Sequence, residues 1–247
     1  QFEGYHNGWI LLTGSMNQFG GKSVGANNQV WSSGAGAVVG GGRYNQANSE
    51  LGSIGGGYSN KTTGGYGTIV GGRQNNINGQ YSGVGGGDQN RVTGNYSIVV
   101  GGYQNMVSGN VSGILSGYQN VVMGNYSVSA GYQNQVISNY SSILGGEGNI
   151  VSGNYSTITG GRNNQIVGAD THRVTGGNSG GSQTGNWYVN IGGGYQNQVS
   201  GAYASIHGGA GNAIQGRSSV ISGGIQNQIK GNGLSTIVSG TRHQLNG

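Results

Sequence analysis

The side chains able to do chemistry are few, and the first candidates are glycine-rich. GGRQN at 71–75 and GGYQN at 101–105 belong to a set of near-identical segments. Bare backbone N–H groups of this kind cradle phosphates when they open a helix. A Walker loop needs Lys followed by Ser or Thr at that helix, and a dinucleotide loop needs a strand before it and a helix after it. No copy has either context, so the segments read as turns. Four His and five acidic residues are scattered along 247 positions, and there is no Cys. Their spacing offers no triad, carboxylate pair or metal-ligand cluster. The expectation is a protein without catalytic, cofactor-binding or metal residues, and not an enzyme.

Composition narrows the class further. Glycine supplies 59 residues, only 6% of the chain is charged, and Pro is absent. Collagen needs Gly at every third position and abundant Pro, while disordered chains are rich in charge or Pro. Neither description fits. The most apolar short run, Trp9–Leu12, is far from the ~20 residues of a membrane-spanning helix. The net charge of +5 is spread thinly without a basic run, so nucleic acid is not an expected partner. The GGR motifs at Arg43, Arg73 and Arg162 resemble RNA-binding tails only locally, because such tails lack a β-branched column at fixed period. The chain opens at Gln1 without an initiator Met, as a processed chain or a fragment would.

The organisation is an internal repeat. Aligned on the Asn of GGYQN, copies fall at Asn45, Asn60, Asn75, Asn90, Asn105, Asn120, Asn134, Asn149, Asn164, Asn178, Asn197, Asn212 and Asn227. The step is 15 residues, with one of 14 into Asn134 and an irregular stretch after Asn164. Asn17 and Asn28 read as degraded copies, and His243 takes the same column. In the unit G-G-Y-Q-N-x-V-x-G-N-Y-S-x-I-x, one aliphatic column follows the Asn by two residues (Val92, Val107, Val122) and another by nine (Val99, Ile114, Ile143). β-Branched residues with period-two alternation specify strands, and Gly-Asn and Gly-Gly mark turns.

The predicted fold is therefore all-β, a β-solenoid (parallel β-roll) of about 15-residue coils with two short strands per coil. It covers 41–247 with an irregular insertion near 167–191, after an aromatic N-terminal segment with degenerate coils at 1–40. One coil cannot stand alone. Burying its Val and Ile gives roughly 1.5–3 kcal/mol each, against about 1–2 kcal/mol for every backbone residue ordered. Coils must stack. The inward Asn column, Asn60 to Asn164 and Asn197 to Asn227, is expected to form an amide ladder that also satisfies turn backbone groups. Glycines are expected to supply positive φ in the turns, and the Ser column (Ser82, Ser97, Ser112, Ser127, Ser141, Ser156) to leave room at a narrow waist.

With these columns in place, SGNYSTITGGRNNQIVG at 152–168 resembles the head repeats of YadA-like trimeric autotransporter adhesins, and phage and virus fibre repeats are similar. The resemblance spans roughly 41–247. It implies a left-handed parallel β-roll with three chains side by side and the Val and Ile columns inward. This chain is richer in Tyr and Asn than that family, whose repeats favour Ala.

Outward residues carry the functional expectations. One Tyr row (Tyr103, Tyr118, Tyr132, Tyr195) lies two residues before the Asn, and another (Tyr81, Tyr96, Tyr126, Tyr140, Tyr155, Tyr203) precedes the Ser column. Both form the expected contact surface, with packing within or between chains favoured over glycan binding. Phe2, Tyr5, Trp9, Ile10, Leu11 and Leu12 are expected to dock on another subunit, which would propagate head to tail. Asp170, His172, Trp187 and Tyr188 in the irregular stretch form a candidate binding loop. N-x-S/T occurs at Asn60, Asn95, Asn110, Asn125, Asn139 and Asn154, with Asn60 the least accessible acceptor. Ice recognition needs a regular outward Thr array, and the column Thr68, Gly83, Ile98, Gly113, Val128, Ser142, Thr157 is too mixed for it. The expected function is a non-enzymatic structural subunit of an extracellular fibre or surface filament, associating with itself as a trimer or head-to-tail filament. The alternative is an adhesin head whose partner is a surface glycan or host receptor, displayed on a cell or virion.

Overall fold

A computed structural model of the protein describes residues 15–16, 22–30, 36–167, 188–231 and 233–246. Every regular element among them is a β-strand. The strands form one sheet of 15, called sheet A here, and one of 14, sheet B. From Lys22 onward successive strands alternate between the two sheets, so each coil contributes one strand to each. Neighbours in a sheet are parallel and in register: Val84 faces Val99 and Val99 faces Ile114 in sheet A, and Val92 faces Val107 in sheet B. The exception is the strand Ser15–Met16, which pairs antiparallel with Lys22–Ser23. The architecture is the parallel β-solenoid that the repeat specifies.

Parallel register places like on like. Ile54, Ile69, Val84, Val99 and Ile114 stack as one buried column, and Ile77, Val92, Val107 and Val122 as the other, each at most 1% exposed. These columns form the core between the sheets, so the backbone must supply much of the cohesion. In the coil 90–104, the N–H groups of Arg91, Thr93, Ile98, Val100 and Tyr103 donate to the following coil, and those of Tyr96 and Gln104 to the preceding one. A third ladder of single-residue parallel bridges runs through Arg73, Asp88, Tyr103 and Tyr118.

The turns bear out the expectation for glycine and extend it to other residues. Glycine does supply positive φ at Gly102 (φ 101), where an added Cβ would sit 2.1 Å from the carbonyl oxygen of Gly117. Yet Tyr81 (φ 53), Tyr96 (φ 54), Gln89 (φ 57) and Gln104 (φ 53) are also left-handed, and their columns repeat this along the roll. A side chain there costs roughly 1–2 kcal/mol. The cost is offset because the left-handed turn aims each of these N–H groups at a carbonyl of the coil before: Tyr81 to Gly65, Gln104 to Asp88.

Two irregularities are absorbed locally. The short step before Asn134 shifts the register between Ile114 and Gly117. In the same coil a Ser takes the aliphatic place: Ser129 faces Ile114 and Ile143, fully buried, with a hydroxyl that has no hydrogen-bond partner. Across the insertion the roll resumes in register, Thr157 facing Asn190 and Gln165 facing Gln198. The irregular stretch is accordingly narrower than 167–191. Val167 donates to Val199, and Ile191 sits fully buried opposite Ile158.

The orphaned hydroxyl gives a direct expectation. Ser129→Val should stabilise the fold by about 1–2 kcal/mol, since it removes an unsatisfied buried group and adds apolar contact. Denaturant unfolding of the two proteins measures this; a destabilised variant would show that the site has no space for the methyl groups.

Candidate functional surfaces

The most built feature of the molecule is internal. The Asn105 N–H donates to Asn90 Oδ1 at 3.0 Å. Its Nδ2 donates to Asn90 Oδ1 (3.1 Å), to the Gly101 carbonyl in its own turn (3.2 Å) and to the Gly117 carbonyl of the next coil (2.9 Å). Its Oδ1 in turn accepts the Asn120 N–H and Nδ2 at 2.9 and 3.1 Å. Asn60, Asn75, Asn90, Asn120, Asn164, Asn197 and Asn212 repeat the amide-to-amide contact. Asn134, Asn149 and Asn227 keep the backbone donation to the preceding Asn and the Nδ2 bonds to turn carbonyls, without the amide-to-amide contact. The ladder passes directly from Asn164 to Asn197, and Asn178 lies outside the described residues. His243 continues it by donating its N–H to Asn227 Oδ1.

The Ser column does more than leave room. Ser97 Oγ lies 2.9 Å from the Asn95 carbonyl and 2.8 Å from the Gly109 carbonyl, and it accepts the Ser112 N–H at 3.1 Å. A third series runs on the surface, Gln133 to Gln119 to Gln104 to Gln89 to Gln74, amide to amide at 2.7–3.1 Å. The recurrence of Gln just before the Asn was its sequence signal. It stops at Gly148, where a shallow hollow of about 320 Å³ is lined by Gln119, Gln133, Gln135, Gly148 and Ile150. The outer Asn row also bridges coils: the Asn95 N–H donates to Asn110 Oδ1 and that of Asn110 to Asn125 Oδ1. Of the six N-x-S/T positions, Asn60 is fully buried in the inner ladder.

The Tyr rows meet themselves. Tyr66, Tyr81 and Tyr96 stack with centroids 4.6 and 5.0 Å apart, Tyr103, Tyr118 and Tyr132 at 5.3 and 4.9 Å, and Tyr126, Tyr140 and Tyr155 at 4.9 Å with planes within 1°. Tyr195 lies in its row between Arg162 and Ala210. Tyr188, which the sequence reading assigns to the binding loop, belongs instead to a Tyr row, 6.1 Å from Tyr155 and 6.0 Å from Tyr203. In stacks of this spacing the ring faces are occupied by neighbours, and what reaches solvent is ring edge and hydroxyl. Desolvation first, then the phenols of Tyr66 and Tyr96 and the charge of Glu50, push the Tyr81 phenol above the usual tyrosine range.

Charge is unevenly distributed. Arg73 pairs with Asp88 (2.8 Å) and Arg162 with Glu147 (3.4 Å) along the Tyr103 row. The hydrogen bond to Asp88, then the charge of that carboxylate, push the Arg73 guanidinium further above its ordinary value. Lys61, Arg91 and Lys230 project from sheet B. Among the described residues from Val38 to Val238, the outward positions of sheet A carry no Lys, Arg, Asp or Glu. Among the described residues no three His, Asp or Glu side chains gather. Phe2, Tyr5, Trp9, Ile10, Leu11, Leu12, Asp170, His172 and Trp187 lie outside the described residues.

Residues 77–176 match the model of the family described as grass antifreeze beta roll. No curated protein matches the chain. The match spans less than half of the sequence, and what it shares with the architecture above is the roll: the chain is a β-roll repeat protein.

Two outcomes follow from this geometry. Asn105→Ala would strand the Asn120 N–H and the Gly101 carbonyl and leave the Gly117 carbonyl with the Tyr103 N–H alone, and should cost about 3–5 kcal/mol in denaturant unfolding. A loss below about 1 kcal/mol would mean that water replaces the amide. Because the folded Tyr81 phenol titrates above the unfolded one, its contribution is complete below the unfolded pKa and is lost as pH rises through the folded value. The melting temperature should therefore fall on the alkaline side of about pH 10, and Tyr81→Phe should lessen that fall; an unchanged alkaline profile would contradict the assignment.

Proposed function

We propose that this β-roll protein is a non-enzymatic structural subunit of an extracellular fibre or surface filament. The observation that carries the reading is the direction of its polar side-chain bonds. Inward Asn and Ser and outward Gln all join one coil to the next, in parallel with the backbone ladders. An enzyme converges such groups on a cleft; here they are spent along the axis. A rod reinforced in every column resists axial extension and offers long faces for lateral packing.

The likeness to trimeric adhesin heads supports a second use, display of a receptor- or glycan-binding surface. The Tyr stacks bear on it: sugars pack on open aromatic faces, and these faces meet one another. A third reading, ice binding, draws support from the antifreeze β-roll match and from outward hydroxyls on sheet A, including Ser142 and Thr157, whose oxygens lie 3.1 Å apart. Gly83, Ile98, Gly113 and Val128 interrupt that series.

Negative-stain electron microscopy of concentrated purified protein, run beside a thermal-hysteresis measurement, separates the readings. Laterally associated rods without a freezing-point gap are the expected result. Dispersed single rods would contradict the fibre reading, and faceted ice crystals with hysteresis would establish the third.

A further inference from the structure

We infer that the outer face of sheet A is a self-complementary interface, and that its occupant is the same face of a second copy of this chain. The inference rests on the structural-subunit reading for its biological sense, but its evidence is separate.

The first observation is apolar exposure where no charge is present. Val70, Ile98, Val100, Leu115 and Leu144 all project from sheet A and are 48–64% exposed. His207 is the one ionisable side chain among the described outward positions from Val38 to Val238. The second is a glycine column beside that face. Gly71, Gly86, Gly101, Gly145, Gly160 and Gly208 have ordinary φ, and a Cβ added at any of them would meet nothing within 4 Å. Neither backbone conformation nor packing within the chain calls for glycine there, unlike Gly102, where a Cβ would strike the next coil. A bare strip that the single chain does not need lets another backbone approach closely.

The third observation identifies the occupant. The protein carries a net charge of +5, so contact between two copies is least opposed where the meeting surfaces carry no charge. Sheet B presents Lys61, Arg91 and Lys230, and burying these without partners is unfavourable. Sheet A against sheet A desolvates no paired or lone Lys, Arg, Asp or Glu among the described outward positions from Val38 onward. Area is sufficient: about 13 coil steps of ~4.8 Å and a width of roughly 14 Å give on the order of 800 Å², what each partner buries in a standard interface. A face that meets itself closes on a two-fold axis. Residues 168–187 join Val167 to Tyr188, between a sheet B strand and a sheet A strand, and the sheet A strands on either side of them pair in register, Thr157 facing Asn190.

The test is sedimentation velocity of the full chain with paired variants. Val100→Lys with Leu115→Lys puts charge on sheet A, and Met123→Lys with Ile137→Lys does so on sheet B, at residues of comparable exposure. Gly101→Phe adds bulk to the glycine strip without a new charge. The wild type and the sheet B variant should sediment as dimers, and the other two should shift the dimer dissociation constant by about 100-fold or more. Circular dichroism must show wild-type β content for each protein compared. A monomeric wild type, an unshifted sheet A variant, or equal loss in the sheet B variant overturns the inference. The fibre reading fails separately: dimers that never form filaments in the microscope retain the interface and refute the fibre, and filaments untouched by Val100→Lys with Leu115→Lys do the reverse.

Discussion

Everything in this molecule answers to one distance, the ~4.8 Å that parallel backbone hydrogen bonding sets between neighbouring coils. An Asn amide spans it, donating to one coil and accepting from the next, as Asn105 does between Asn90 and Asn120. Tyrosine rings match it, at 4.9 Å between Tyr126 and Tyr140. Where a Cβ would collide at that spacing, as at Gly102, the residue is glycine. The repeat length follows: a unit must return to its own column to find its partner, and the 14-residue coil manages this only with a register shift.

A core of two aliphatic columns is thin, and stability has to come from elsewhere. Buried polar networks stabilise when every member is satisfied and become a liability when one is not. The Asn and Ser ladders meet that condition by repetition, since each rung supplies the partner of the next. This makes stability nearly a sum of nearest-neighbour terms. It also explains where the chain tolerates changes in length. An insertion after Val167 keeps the roll in register because it enters at a turn, and the residue missing after Ser129 costs only a local register shift, with Ile143 still facing Ser129 in its column.

The fold was legible in the sequence because period-two alternation and a fixed repeat leave few alternatives. The aliphatic and Asn columns could be named residue by residue for the same reason: one inward place per strand recurs at constant spacing. The turns were less legible. Propensity assigns left-handed conformation to glycine, but at Tyr81 and Gln104 the bonds to neighbouring coils override that preference. Tyr188 was read as loop because the repeat breaks just before it, and its place in a Tyr row emerges only when Asn190 pairs with Thr157. The surface reading was limited in another way. Sequence shows that tyrosines project outward, but whether their faces meet a ligand or each other depends on the coil spacing and side-chain angle.

The claim on which the account depends is that the inward amides bind coil to coil. Hydrogen exchange of the side-chain amides, followed by NMR, addresses it directly. The Nδ2 protons of Asn90, Asn105 and Asn120 should exchange as slowly as the backbone N–H groups of the core strands, whereas those of Asn95 and Asn110 on the surface should exchange freely. Rapid exchange of the inner set, with the backbone still protected, would contradict the account and leave the backbone ladders to hold the roll together alone.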